Sequence, residues 1–181
     1  YEEDKLVYQG AQIAMMGFDQ LEQFSESMFF FMLSRNRSAS GVRPYIRGTV
    51  NPDPDSFVRT LLDWWIADGG YADLSRAGRL RWFVRLGRDL HWGDTREELI
   101  ERFGADMQPK SLTFIPATVF DNQILLANDP GYVGNLMALD YVERQRLLGD
   151  RERGGNWNVR PVAGLIFNRD WFEIVDAIPV G

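Results

Sequence analysis

Apolar residues recur along this chain in the pattern of alternating strands and helices. The run 12–18 is apolar at nearly every position and ends at Asp19, as a strand buried on both faces does. A second apolar run predicts a short buried helix over 25–33. Residues 45–50 are rich in β-branched and aromatic types and end at Asn51. We therefore predict a strand, a helix and a second strand parallel to the first.

The later part of the chain continues the mixture of helices and strands. A helix capped by 53–56 has apolar residues at helical spacing and is expected to extend to about residue 70. Alternation predicts a strand over 79–86 with its arginines on an exposed face, and 89–92 can be its return strand. Further elements are expected as a helix at 95–103 with a capping box, a strand at 111–119, a helix at 133–148, a linker or mobile loop at 150–158, and strands at 164–167 and 172–175. This order predicts an α/β fold: a parallel central sheet flanked by helices, with a small β-hairpin appendage near 80–92.

The composition narrows the classes of function. The chain has 181 residues, 45% hydrophobic and 25% charged, which is ordinary for one globular domain. It contains no cysteine, which excludes disulfides and thiol catalysis, and its one histidine, His91, excludes a multi-histidine metal site. No apolar run approaches the roughly 20 residues that span a bilayer, so we expect no membrane partner. The net charge is −6, so any contact with DNA must come from a local basic patch.

Asp19 is the first candidate for chemistry. A carboxylate at the carboxyl end of a buried strand lies where open α/β sheets bind ligands, and nucleotide motors hold their magnesium ion at such a position. Asn51 ends the next predicted strand, so both side chains are expected to face one crevice. Both residues also fit ordinary turns after strands, so the pattern alone leaves a purely structural role open.

Arginine supplies nearly all of the positive charge, with 18 arginines beside two lysines. Arg35 and Arg37 follow the first predicted helix. They can reach a phosphate or a neighbouring subunit, or they can lie in solvent and stabilise the helix end. Arg79, Arg81 and Arg85 share one face of a predicted strand. They can contact a DNA backbone or belong to an ordinary exposed sheet face.

Several segments, taken in order, resemble one family. Residues 17–21, 24–26 and 33–37 resemble the region of the second acidic motif in the large terminase subunit of tailed bacteriophages. Residues 49–53 follow at the spacing of that family's coupling motif, one βαβ step later. The segments similar to the stretch between the family's ATPase and nuclease domains are 110–117, 121–122, 129–132 and 171–175. The resemblance covers nearly the whole chain and implies a P-loop NTPase-like fold.

The resemblance also implies roles for individual residues. Asp19 corresponds to the acid that organises Mg²⁺ on ATP, so ATP and Mg²⁺ are the expected cofactors. Thr49 and Asn51 correspond to the segment that senses the γ-phosphate and couples hydrolysis to DNA movement. Gln20 stands where the family usually has a glutamate as general base, and an amide cannot accept a proton at neutral pH. Either Gln20 only orients the attacking water, or Glu22 replaces the base.

Two features of the family are missing from this sequence. No Gly-x-x-x-x-Gly-Lys-[Ser/Thr] phosphate loop occurs, and no acidic cluster follows Pro179, where the family's nuclease would begin. We therefore expect residues 1–149 to be the C-terminal portion of a terminase-like ATPase domain. Residues 150–181 are expected to be a linker toward a nuclease domain that this chain does not contain. By itself such a piece is expected to be inactive as an ATPase.

The function implied for the parent protein is an ATP-driven motor that packages double-stranded viral DNA into a procapsid. Its expected partners are double-stranded DNA, the portal, the small terminase subunit and further copies of itself in a ring. Its expected location is the cytoplasm of the bacterial host, transiently at the procapsid portal. The alternative is a non-catalytic docking domain with an NTPase-like fold, in which Gln20 marks lost hydrolysis. A helicase-like motor fits less well, because the segments toward the nuclease domain also agree with the terminase family.

Overall fold

The computed structural model describes residues 2–161, which form two small sheets surrounded by short helices. The strands are β1 (Met15–Phe18), β2 (Tyr45–Gly48), β3 (Arg81–Leu86), β4 (Asp89–Gly93) and β5 (Lys110–Leu112). The helices are α1 (Glu26–Arg35), α2 (Phe57–Leu61), α3 (Arg96–Phe103), α4 (Gln123–Asn128), α5 (Tyr132–Met137) and α6 (Tyr141–Leu147). Short 3₁₀ segments lie at Glu2–Tyr8, Leu21–Gln23, Asp63–Trp65, Ala105–Met107 and Val119–Asp121. The strands predicted at 164–167 and 172–175 lie outside the described residues.

The first sheet contains the predicted strand–helix–strand unit. β1 and β2 are parallel, with Met15 opposite Tyr45 and Phe18 opposite Gly48, which confirms the parallel pair. Ser25 caps α1, because its hydroxyl accepts a hydrogen bond from the Met28 backbone N–H at 3.1 Å. The capped helix returns the chain to the amino end of the sheet, where β2 begins.

The prediction that β1 is buried on both faces is wrong. Met16 and Phe18 are buried, but Met15 on the other face is 59% exposed. β1 has only β2 beside it, and α1 covers only one side of this pair within the described residues. The apolar run therefore predicted the strand correctly, but one face of β1 is exposed within the described residues.

The second sheet is antiparallel and has the order β4-β3-β5. The β3–β4 hairpin is confirmed, with Phe83 opposite Trp92. It is not an appendage, because β5 extends it and its aromatic side chains pack into the main core together with Trp65. The chain is thus a mixed α/β protein in which a small parallel sheet and an antiparallel sheet share one core, and a single central parallel sheet is not what the described residues form.

The faces of β3 are arranged differently from the prediction. Arg81 and Arg85 were expected on an exposed face, yet their side chains are only 17% and 30% exposed, whereas Leu80 is 57% exposed. Phe83 lies on the same face as these arginines and is buried at 5%. The arginine stems therefore lie on apolar surface, with the Arg85 guanidinium carbon 4.0 Å from the centre of the Phe30 ring. Val84, on the opposite face, is also buried, since α3 packs against β3 and β4.

Several helix and loop boundaries also differ. The helix capped by Ser56 has one and a half turns and then tightens into a 3₁₀ segment, so it ends well before residue 70. The helix predicted over 133–148 is divided into α5 and α6, because the Asp140 carboxylate caps a new helix. The strand predicted at 111–119 ends at Leu112. The helix at 95–103 is confirmed, with Thr95 as its cap and Gly104 at its end.

The charged stretch 150–158, predicted as a linker or mobile loop, contains a closed turn and packs against the core. Asp150 and Gly154 close a tight turn by two backbone hydrogen bonds. Trp157 is 3% exposed, and its backbone N–H donates to the Gly70 carbonyl at 2.7 Å. Because one tryptophan anchors the segment in the core, its polar composition gave no sign of its packing. Among residues 2–161, no helix combines the length and the apolar character that a membrane span requires.

A groove of about 720 Å³ runs between the two sheets. β2 and β5 each have one edge with no strand partner among the described residues, and both edges line this groove. Its wall is mainly apolar and includes Leu33, Ile46, Val50, Leu62, Leu80 and Phe114. Gly48 and Val50 belong to this wall but Asp19 does not, so the predicted site lies at an exposed strand end beside the groove rather than inside it.

Candidate functional site

Thr49 connects the ends of the two parallel strands. Its backbone N–H donates to the Phe18 carbonyl at 2.9 Å, which continues the β1–β2 ladder by one residue. Its hydroxyl donates to Asp19 Oδ1 at 2.6 Å and accepts from the Gln20 backbone N–H at 2.9 Å. The hydroxyl therefore holds the Asp19 carboxylate in a defined position at the carboxyl edge of the sheet, which is where ligands bind in open α/β sheets.

Gln20 turns the chain sharply after Asp19. Its backbone is left-handed, with φ 54° and ψ 60°, a conformation that costs free energy for a residue other than glycine. The turn is held by the Leu21 N–H, which donates to the Thr49 carbonyl at 2.8 Å. The side-chain oxygen of Gln20 accepts a hydrogen bond from Gln23 Nε2. The exposed amide of Gln20 thus remains next to Asp19 but is engaged with a neighbouring glutamine.

Glu22 binds Asn51 rather than Asp19. One carboxylate oxygen accepts from the Asn51 backbone N–H at 3.1 Å, and the other accepts from Asn51 Nδ2 at 3.2 Å. This two-point contact fixes the segment after β2 against the turn after β1. The structure therefore brings four candidates together in two pairs: Asp19 with Thr49, and Glu22 with Asn51. No local signal in the sequence indicates that Glu22 holds Asn51, because the two residues are 29 positions apart.

Comparison with known families identifies the family of the chain that carries this strand-end arrangement. The profile described as terminase large subunit, T4likevirus-type, N-terminal, matches residues 1–174. The chain belongs to this family. No curated protein and no solved structure matches the chain at a significant level. Membership of the terminase family supports a role in the packaging of phage DNA.

The donor atoms at the ends of β1 and β2 suit one kind of metal ion. Among the residues that the structure describes, no three His, Asp or Glu side chains converge to form a metal cage. Asp19 offers one carboxylate, with the Thr49 hydroxyl oxygen next to it. Mg²⁺ is commonly held by one or two carboxylates and takes its other ligands from water and phosphate. The residues present therefore fit a magnesium ion bound together with a nucleotide, and do not fit a metal bound by protein alone.

Arg35 and Arg37 lie at the opposite end of the sheet from Asp19. The Arg35 carbonyl accepts from the Ile13 N–H, and Arg37 Nη2 donates to the Gly10 carbonyl at 3.4 Å, both before β1 begins. The Arg35 guanidinium lies over the Phe31 ring of its own helix. A β-strand of four residues is roughly 13 Å long. These arginines cannot touch a phosphate at Asp19 of the same molecule, so such a contact would require a neighbouring subunit.

Asn36, between these two arginines, is a structural residue that the sequence analysis missed. Its Nδ2 atom lies within hydrogen-bond distance of the carbonyl oxygens of Ile13, Ala14 and Tyr45, at 2.9, 3.2 and 3.2 Å. It thereby joins the end of α1 to the amino ends of both strands. The only local signal is its position directly after the helix, where asparagine often ends helices.

Proposed function

We propose that residues 1–149 form the later part of the ATPase domain of a terminase large subunit, and that the parent protein is an ATP-driven motor for double-stranded DNA. The observation that carries this proposal is the Thr49 hydroxyl, which joins Asp19 to the Gln20 backbone at the carboxyl edge of two parallel strands. This arrangement makes the Asp19 carboxylate sensitive to any movement of the segment after β2. Such a linkage is what a motor needs between nucleotide chemistry and motion.

Asp19 is proposed to hold the water shell of Mg²⁺ on ATP. When bound, the ion neutralises charge that develops on the transferred phosphoryl group. Thr49 keeps the carboxylate oriented, and Asn51 is proposed to sense the γ-phosphate. Because Glu22 binds Asn51 through both oxygens, a shift of Asn51 toward a nucleotide would have to break or stretch that contact. Glu22 is therefore proposed as a positioning residue for Asn51.

Gln20 is proposed to orient the attacking water without accepting its proton. Gln20 directly follows Asp19, whereas both carboxylate oxygens of Glu22 are already occupied by Asn51. If so, Gln20→Glu in the full-length parent protein should speed hydrolysis, because a positioned general base contributes roughly 10²–10⁴-fold. Glu22→Gln should slow hydrolysis less than Asp19→Ala does. An unchanged rate in Gln20→Glu beside a dead Glu22→Gln would reverse the two assignments.

The test of the proposed activity is magnesium-dependent ATP hydrolysis by the parent protein, measured as single-turnover phosphate release. Asp19→Ala should abolish it, while Glu101→Ala, which removes an exposed carboxylate on α3, should leave it intact. The 181-residue chain alone should show no turnover, because its sequence has no phosphate loop to hold the nucleotide. Turnover by the purified chain that disappears in Asp19→Ala would show that the phosphate site has a different origin.

The partners and the division of the chain follow from the same proposal. The parent motor is proposed to act on double-stranded DNA as a ring, together with the portal and the small terminase subunit, in the host cytoplasm and transiently at the procapsid portal. Residues 150–181 are proposed to lead toward a nuclease domain, although Trp157 packs within the core. A docking domain without hydrolysis is the second candidate, because glutamine occupies position 20. Hydrolysis by the parent protein would exclude it.

A further inference from the structure

Positive charge is concentrated in one segment of this acidic chain. Residues 27–52 contain Arg35, Arg37, Arg43 and Arg47 and no acidic residue. The whole chain carries −6, so the remaining residues carry −10 while this segment carries +4. A contact between an acidic protein and a polyanion requires such a local excess of positive charge.

The fold gathers these arginines around the contact between Asn36 and Tyr45. Arg35 and Arg37 flank Asn36, whose side chain reaches the Tyr45 carbonyl. Arg43 lies two residues before Tyr45, and the Arg47 guanidinium carbon lies 5.7 Å from the centre of the Tyr45 ring. Arg37, Arg43 and Arg47 are exposed, and Arg35 is partly exposed. We call these four side chains the arginine surface.

The arginine surface differs from most other arginines in lacking carboxylate partners. Within residues 2–161 eight arginines lie within ion-pair distance of a carboxylate: Arg59, Arg76, Arg81, Arg85, Arg102, Arg146, Arg153 and Arg160. None of the four arginines of the surface forms such a pair with a residue that the structure describes. Their guanidinium groups make at most hydrogen bonds to Ser34 and Gly10 and ring contacts to Phe31 and Tyr45. Their charge is therefore available to a ligand.

We propose that the arginine surface contacts the phosphodiester backbone of double-stranded DNA. The inference rests on the proposed function, in which DNA is the substrate of the motor. Guanidinium groups bind phosphate oxygens through paired N–H donors, and the strong negative charge density of duplex DNA rewards several such contacts at once. Arg35, Arg37 and Arg43 lie near the amino ends of β1 and β2, whereas Asp19 follows the carboxyl end of β1. Arg47 lies within β2 opposite Gly17, and its guanidinium group lies over the ring of Tyr45, the first residue of that strand. DNA and nucleotide can therefore be bound at the same time without competing for these side chains.

The test uses the 181-residue chain and a fluorescently labelled 30-base-pair duplex of arbitrary sequence, with affinity measured by anisotropy at several salt concentrations. Four phosphate contacts give a slope of log affinity against log salt of roughly −3.6, or a loss of about 10²-fold between 50 and 200 mM salt. Changing Arg35, Arg37, Arg43 and Arg47 together to glutamine should remove most of this slope. It should also weaken binding by a similar factor at the lower salt concentration.

The matched control changes Arg79, Arg88, Arg96 and Arg151 to glutamine, which lowers the net charge by the same amount. These arginines also lack carboxylate partners among the described residues, but they are dispersed along the chain. The control should retain the slope to within about one unit, the contribution of a single phosphate contact. Equal losses in the two variants would overturn the proposal, because net charge alone would then explain the binding. Absence of binding by the unchanged chain would also overturn it.

A double variant serves as a control in case the fourfold variant does not fold. Arg43→Gln with Arg47→Gln removes two guanidinium groups that donate no hydrogen bond to a described residue, so the fold should survive, as thermal melting would confirm. This pair should remove about half of the salt slope. If the double variant is folded and its salt slope is unchanged, the proposal that all four arginines contact DNA is wrong.

The measurement contains no ATP, so it separates this inference from the proposed motor. If the parent protein hydrolyses ATP but the fourfold variant and its matched control lose the same salt slope, only the DNA contact is overturned. Lost hydrolysis with intact DNA binding would overturn only the motor. If the fourfold glutamine variant instead lowers ATP turnover in mixed rings of the parent protein and leaves the DNA slope unchanged, the arginines reach the nucleotide of a neighbouring subunit, and the DNA contact is wrong.

Discussion

The parallel pair β1–β2 and the antiparallel sheet β4-β3-β5 expose their side chains very differently. The parallel pair has one open face, on which Met15 and Tyr45 are 59% and 46% exposed, and its polar groups are gathered at the two strand ends. In the antiparallel sheet, Phe83 and Val84 on opposite faces are 5% and 2% exposed. Side chains on two covered faces stabilise the fold, whereas polar groups at an open strand end are free to meet a ligand. We therefore place stability mainly in the antiparallel region and chemistry in the parallel one.

Arg85 joins the two regions. It lies on β3, stacks on Phe30 of α1 and is within 3.4 Å of the Glu26 carboxylate in the first turn of that helix. Its Nε atom is buried without a hydrogen-bond partner among the described residues. Helix α1 follows the turn that contains Gln20. Arg85, by contacting α1, therefore links the candidate site to the antiparallel sheet.

The largest expected effect is at Trp65, which lies in the 3₁₀ segment Asp63–Trp65 beside the antiparallel sheet. Trp65 is fully buried, packs against Trp92 and donates its indole N–H to the Arg79 carbonyl at 3.2 Å. Trp65→Ala should lower the free energy of unfolding by about 3–5 kcal/mol, because a large cavity and an unpaired carbonyl remain. Met15→Ala, on the open face of β1, should change it by less than about 0.5 kcal/mol. Urea denaturation of both variants measures the difference, and equal losses would contradict the division of roles.

A smaller effect is expected at Thr49. Thr49→Val keeps the shape of the side chain but removes the hydroxyl that connects Asp19 and Gln20. The exposed position limits the loss to about 1 kcal/mol of unfolding free energy, since water replaces part of each hydrogen bond. Thr49→Ser is the matched control, because it retains the hydroxyl. If Thr49→Ser loses this stability and Thr49→Val does not, the methyl group and not the hydroxyl holds the strand ends together.

The smallest expected effect concerns a carboxylate outside both sheets. Hydrogen bonds from the Arg153 side chain and from the backbone N–H groups of Arg153 and Glu152 lower the pKa of Asp150 to about 2. A pKa lowered by folding contributes stability above the ordinary aspartate value, and this stability is lost as the pH falls toward 2. The effect on global unfolding should be slight, because Asp150 lies at the surface. Titration of its carboxyl carbon by NMR should give the low pKa in the folded chain and a higher pKa in Arg153→Gln, in which only the two backbone N–H donors remain. An ordinary value in the unchanged chain would contradict the turn geometry.

Local chemistry determined a large part of this fold. The cap within 53–56 and the capping box that begins the helix at 95–103 were recognisable from the sequence, and the alternation over 80–86 marked a strand, because these signals depend on residues only a few positions apart. The parallel pairing of β1 and β2 also followed from the sequence. The helix between the two strands returns the chain to the end of the sheet at which the first strand began, so the second strand runs parallel to the first. Separate segments, among them 17–21 and 49–53, carried the resemblance to the terminase family that the profile match confirms.

Tertiary structure alone decided which surfaces are covered and which side chains meet. Alternation separates the two faces of β3 but does not say which one meets the core, and Phe83 placed Arg81 and Arg85 against aromatic rings. Trp157 anchored a stretch whose composition indicated a loop, and Asp140 divided a continuous apolar pattern into two helices. Glu22 binds Asn51 across a separation of 29 residues, and Arg35 lies a strand's length from Asp19. Contacts of this range depend on how elements pack, which no short segment of sequence specifies.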